Sequence, residues 1–133
     1  MKARCSVRTV RRFLGQDIDD LEPRQKNGQA ILDELCRSAG IPNIALVVRD
    51  GRRETLNGVY TWSREEHRPG KIKIWNRTPV RGKPVSNKVF LETLCHEFCH
   101  HYDHFALGLD DSPHTSGFYE RCQNLFNGLV GRA

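Results

Sequence analysis

Five of the six histidines in this 133-residue chain fall between His96 and His114, inside the segment TLCHEFCHHYDHFALGLDDSPHTSGFYERC at 93–122. Its start contains H96-E97-F98-C99-H100, an H-E-x-x-H pattern. On a helix each residue advances by roughly 100°, which brings His96 and His100 within about 40° of each other, one turn apart. That spacing lets two imidazoles grip one cation, and zinc is the usual choice for such a pair. Glu97 projects beside them, where it can take a proton from an attacking water as general base. The helical context is independent of the motif. Leu91, Leu94, Cys95, Phe98, Tyr102 and Phe105 gather in one apolar stripe, and the histidine pair lies opposite it.

Two histidines leave a catalytic zinc one protein ligand short. His104 shares nearly the same face as His96, but eight helical residues separate them by about 12 Å, too far for one ion. Cys99 lies on the border between stripe and metal face and Cys95 on the core side, so neither points with the pair. His101 projects to the edge of the core stripe, as a packed or solvent-facing residue. The third ligand therefore comes from beyond the turn at Gly108, where His114 and Glu120 are both available. Asp103, about one turn beyond His100, is placed to orient an imidazole from behind.

These residues need a scaffold. Residues 1–26 lack sustained periodicity and read as an irregular lead-in with a short strand at 7–10. From Gly28 to Ala39 the apolar positions recur at helical spacing, and Gly40 with Pro42 ends that helix. IALVV at 44–48 is a buried strand running into the turn RDG. LNGVYTW at 56–62 and KIKIW at 71–75 are two more strands. After the irregular RTPVRGKP, Ser86 caps a helix that runs to about Leu107. Ser112 and Pro113 read as the cap and first position of a last helix with the apolar stripe Phe118, Cys122, Leu125 and Leu129. The order predicts an α+β fold with a small, three-stranded, mainly antiparallel meander packed on helices.

At this length the chain is expected to form one domain spanning residues 1–133. Five cysteines without a paired C-x-x-C spacing argue against a disulfide framework and a zinc ribbon, and read as reduced, buried thiols. The N-terminus carries five basic residues before Phe13 without an apolar run, which does not read as a secretory signal and gives a cytoplasmic expectation. Charge is unevenly spread. Residues 1–90 hold nineteen Lys and Arg against ten Asp and Glu, whereas 91–133 hold two against six. The positive density peaks at 64–88, where Arg64, Arg68, Lys71, Lys73 and Arg77 precede the histidine helix. A stretch of this kind can track phosphates or serve as a solvated face. Trp62 and Trp75 flank it, able either to stack on unpaired bases or to pack.

H-E-F-C-H followed after thirteen residues by H114-T-S-G-F118 resembles the SprT-like (Spartan-type) zinc metallopeptidase family. In that family a third histidine follows the H-E-x-x-H helix at this distance, within an H-x-x-x-aromatic pattern. GVYTW at 58–62 and KIKIW at 71–75 are similar to the strand pair that precedes the family's active helix. The resemblance implies a minimal zincin-like domain in which one zinc is held by His96, His100 and His114, with Glu97 as catalytic base. It implies an endopeptidase acting on protein or peptide, including proteins associated with or crosslinked to DNA. Single-stranded DNA would then contact Arg68, Lys71, Lys73 and Arg77. The downstream zinc ribbon of longer relatives has no counterpart, since no cysteine follows Cys122. Within this scheme KIKIW is the expected edge strand for an extended substrate, and Tyr119 the expected oxyanion donor, because Tyr102 belongs to the core stripe. Two other classes compete: a metal-dependent nucleic-acid hydrolase with a three-histidine site, and a binding module that keeps zinc for structure. Retention of Glu97, which is not a ligand, counts against the last.

Overall fold

In the computed structural model, residues 1–51, 57–63, 65–78, 81–109 and 111–133 are described. Leu56 at the start of the expected second strand, Arg64 of the basic stretch, positions 79–80 and Asp110 of the acidic turn lie outside these residues.

The lead-in is helical. α1 (Val7–Leu14) starts at Ser6, whose hydroxyl accepts from the Thr9 N–H, and buries Val10 and Phe13 three residues apart. The β-branched residues that suggested a strand at 7–10 are overridden by this cap and by Glu34, whose carboxylate accepts from the Ser6 N–H at 2.8 Å and from the Thr9 hydroxyl. α2 (Leu21–Ala39) also begins earlier than its apolar periodicity indicates, at the N-cap Asp20, and ends at Gly40 in the left-handed region at φ 70°. Arg24 of α2 is fully buried, donating to Asn76 Oδ1 at 2.5 Å and to the Val85 carbonyl. These bonds tie the helix to the connection ahead of the histidine segment.

The sheet consists of β1 (Ala45–Arg49), β2 (Gly58–Ser63) and β3 (Arg68–Trp75) in the order β1-β3-β2. β1 runs parallel to β3 and β2 antiparallel to it. The sheet is therefore mixed, and KIKIW forms its centre, which corrects both the meander and the edge-strand expectation. The reason lies in burial: Ile72 and Ile74 are sealed under the helices, and Leu46 and Val48 of β1 bury the same face alongside them. The outer edge of β1 is closed by side chains of α2. Gln25 and Gln29 each accept from a β1 backbone N–H and donate to a carbonyl of the 44–46 segment, at 2.7–2.9 Å. That leaves β2 as the strand with an open edge among the described residues.

α3 (Asn87–Phe105) carries the histidine motif and is capped by Ser86, whose hydroxyl accepts from the Val89 N–H at 3.1 Å. Its stripe packs as expected, with Leu91, Leu94, Cys95 and Phe98 buried and Tyr102 and Phe105 partly covered. α4 (Ser116–Arg132) buries Phe118, Cys122, Leu125 and Leu129 against α3, again as the spacing indicates. Its cap, however, is Thr115 rather than Ser112. Ser112 stands at φ 40°, outside the extended region of an N-cap, and its hydroxyl is engaged elsewhere. All five cysteines are free and buried. Among the described residues no helix is long and apolar enough to cross a membrane.

Candidate metal centre

The site forms where three elements meet: α3, the 111–115 connection and the start of α4. His96 and His100 project from α3 with ring centroids 5.1 Å apart. His114 reaches across from the connection, 5.1 Å from His96 and 4.9 Å from His100 between centroids, and its Nε2 lies 2.9 Å from His100 Nε2. One nitrogen from each ring falls within 4.8 Å of the others. A tetrahedral zinc with Zn–N bonds of about 2.0–2.1 Å places its ligand nitrogens about 3.4 Å apart, so the three rings fit a single ion after small adjustments. Protonation favours the same role at His100. Burial, reinforced by the neighbouring His96, His114 and His104, pushes His100 down to about 4, which keeps it neutral and able to ligate. His96 is shifted the other way, held above its usual range first by its polar contact with Cys122, so a metal binding there must displace a proton.

Phe118 clamps the pair from the α4 side, its ring stacked 4.5 Å from His100 and edge-on at 5.1 Å to His96. This gives the aromatic of the H-x-x-x-aromatic segment a physical task. Behind His100, Nδ1 meets the Ser112 hydroxyl at 2.8 Å, and that hydroxyl donates to Asp103 Oδ2 at 2.7 Å. Asp103 is fully buried and accepts from Arg121 at 2.9 Å. Asp103 thus stands behind an imidazole as its helical position indicates, but through Ser112.

Glu97 is 5% exposed and sits beside the ring cluster. Burial raises its carboxyl to about 7, against the pull of His96. The clearance for this arrangement comes from Gly58: a Cβ there would stand 2.8 Å from Thr93 Cγ2 and 3.2 Å from Glu97 Cγ. β2 can therefore lie directly against α3 at the motif. Two open clefts share Gly58, His96 and Glu97. One, of about 360 Å³, extends toward Glu92, Tyr119 and Gln123; the other, of about 560 Å³, extends toward Tyr60, Trp62 and His104. Together they make a trough running past the rings beside β2.

The remaining candidates separate cleanly. His104 is buried, with its ring 4.2 Å from Trp62 and stacked on Tyr60, and is not one of the clustered rings. His101 is fully buried, bonded to the Tyr60 hydroxyl at 3.1 Å and to the Pro42 carbonyl at 2.6 Å, so it is a packed residue that ties β2 to the segment before β1. Glu120 is exposed and outside the cluster, and Cys95 and Cys99 are core. Tyr119 is exposed, its ring 6.1 Å from His96 and 5.7 Å from His114, on the wall of the cleft that holds Glu97.

Among the described residues, Arg68, Lys71, Lys73 and Arg77 of the basic stretch are not gathered at the rings. Lys71 and Lys73 alternate with Ile72 and Ile74 along β3, which turns them to the sheet face away from α3. Arg68 is paired with Glu66, and Arg77 with Asp50 at 3.1 Å. Trp62 packs on the site side against His104 and Phe105, while Trp75 pairs with Arg49 across the parallel ladder.

Sequence reasoning missed Ser112, read as a cap because its left-handed backbone leaves no local signature. It also missed Gly58, whose meaning depends on how closely β2 meets α3, and the Cys122 contact with His96. No family model, curated protein or solved structure matches the chain.

Proposed function

We propose that this protein is a zinc-dependent endopeptidase of the SprT-like kind. The observation that carries the reading is the convergence of His96, His100 and His114 beside a buried Glu97 that coordinates nothing in the cluster. A structural zinc site closes its coordination with protein groups; here, among the described residues, three donors converge at the wall of an open cleft, an arrangement that favours room for substrate or water. Zinc held by the three rings would polarise a scissile carbonyl and lower the pKa of water toward ~7. Glu97 takes the proton from the attacking water and returns it to the leaving amine. Tyr119, on the cleft wall, donates to the oxyanion.

The extended substrate adds to the open edge of β2, rather than to β3, and is thereby drawn along the trough past Glu97. Action on DNA-associated or crosslinked proteins remains part of the proposal, with Arg68, Lys71, Lys73 and Arg77 as the phosphate contacts; DNA would lie across the sheet face remote from the rings. The test is chelation and reconstitution. Stripping zinc should abolish cleavage of an unstructured protein such as casein, and adding back one equivalent should restore it. Cleavage that persists in the metal-stripped protein rejects the reading.

A further inference from the structure

The Ser112 hydroxyl stands between two groups, His100 Nδ1 at 2.8 Å and Asp103 Oδ2 at 2.7 Å, and has one proton to give. The Asp103 carboxylate, paired with Arg121 at 2.9 Å, can only accept, so the serine proton goes to it. The serine oxygen must then accept from His100. His100 is in consequence the Nδ1–H tautomer with a bare Nε2, and Nε2 is the nitrogen that faces His114 Nε2 at 2.9 Å.

Two further observations show that Ser112 is built for this position. It is only 4% exposed, and it holds φ 40°, a conformation that costs a residue with a Cβ and persists where surroundings over-determine it. It also lies two residues before His114. The same hydroxyl that orders the His100 proton therefore anchors the connection that delivers the third ring, helped by the Leu109 N–H bond to the Asp103 carbonyl at 2.9 Å. One buried carboxylate on α3 governs both the tautomer of one ligand and the placement of another.

We propose that Ser112 and Asp103 form a proton-ordered relay, fixed by Arg121, that sets His100 as a metal-ready imidazole and pins the His114 connection. The proposal rests on the metal-centre reading for its purpose, but its proton order is testable without metal. Outer partners of ligating histidines typically contribute 10- to 100-fold to metal affinity.

The test combines histidine ¹⁵N NMR of the metal-free protein with zinc affinity measured by chelator competition, on wild type, Ser112→Gly and Asp103→Asn. In wild type, His100 should show the Nδ1–H tautomer. Asp103→Asn should reverse the order: its amide oxygen stays with Arg121, its NH₂ donates to Ser112, and the serine proton turns to His100 Nδ1. His100 then carries its proton on Nε2, and zinc affinity falls 10- to 100-fold. Ser112→Gly suits the left-handed backbone but removes the hydroxyl. A backbone role leaves its affinity at the wild-type value; the relay requires a 10- to 100-fold loss. An Nε2–H His100 in wild type, or a Ser112→Gly protein that binds zinc as wild type does, overturns the proposal. If wild type binds no zinc, the metal-centre reading fails, while the tautomer still decides the relay.

Discussion

Gly58 is where the strand–helix contact at the centre can be perturbed by a single methyl group. A Cβ at this position meets Thr93 Cγ2 at 2.8 Å, Glu97 Cγ at 3.2 Å and the Lys73 carbonyl oxygen at 3.3 Å. The first distance is shorter than packed carbons tolerate, and the last is to the backbone of a central strand that has little freedom to yield. Gly58 does not hold a positive φ, so the cost of Gly58→Ala is steric and not conformational. Overpacking of this kind costs roughly 1–3 kcal/mol, somewhat offset by the ~0.4–1 kcal/mol gained from a stiffer unfolded chain. For a chain of this length each kcal/mol moves the melting temperature by about 3–4 °C, giving an expected fall centred near about 5 °C and reaching about 10 °C at most. The second variant localises the cause. Thr93→Ser removes the Cγ2 atom and retains the hydroxyl that donates to the Val89 carbonyl at 3.1 Å. In a double-mutant cycle followed by circular dichroism melting, Thr93→Ser should recover most of the loss in the Gly58→Ala background. Strict additivity of the two changes, or a Gly58→Ala protein more stable than wild type, would refute the close approach of β2 and α3 on which the trough depends.

His114→Ala should lower zinc occupancy far more than His101→Ala, His104→Ala or Glu120→Ala, because it alone among these belongs to the ring cluster; equal loss in the His104 and His114 variants rejects the ligand set. Burial pushes the Glu34 carboxyl up, but hydrogen bonds from Thr9 and Ser6 outweigh it and hold the group below 4.5. Its contribution is therefore complete above pH 4.5 and lost as pH falls through the lowered folded value, so urea titrations between pH 3 and 6 should show a shallower acid loss in Glu34→Gln than in wild type. Replacing Arg68, Lys71, Lys73 and Arg77 with glutamine should weaken binding to single-stranded oligonucleotides and flatten its salt dependence without changing zinc content; unchanged anisotropy curves would reduce these residues to a solubility face.

What was legible in the sequence follows from the range of the forces involved. The stripe of α3, the stripe of α4 and the H-E-x-x-H spacing are set by helical periodicity, a local property, and stand in the structure as read. The strands read at 56–62 and 71–75 were visible from an equally local signal, their β-branched and alternating residues, and stand at Gly58–Ser63 and Arg68–Trp75. Their order was not: parallel pairing of β1 with β3 is a long-range choice, enforced by the shared burial of Leu46, Val48, Ile72 and Ile74 and by the glutamines of α2 that close the β1 edge. The helix over the first residues was hidden because Val7, Thr9 and Val10 favour strands locally, and Glu34, far along the chain, reverses that preference. At the site, His114 was one of two candidates until the connection's path brought its ring to the pair. The Ser112 bridge required a backbone conformation that no residue type announces.

The central claim is that Glu97 serves the chemistry of the site and not its coordination, and Glu97→Gln separates the two. Zinc content and casein cleavage should be measured on the same preparations of wild type and variant. One zinc per chain in both, with cleavage in the variant reduced by 10²-fold or more, is the expected result, since the amide holds the water but cannot take its proton. Cleavage by Glu97→Gln at near the wild-type rate, or a wild-type protein that binds no zinc, contradicts the account.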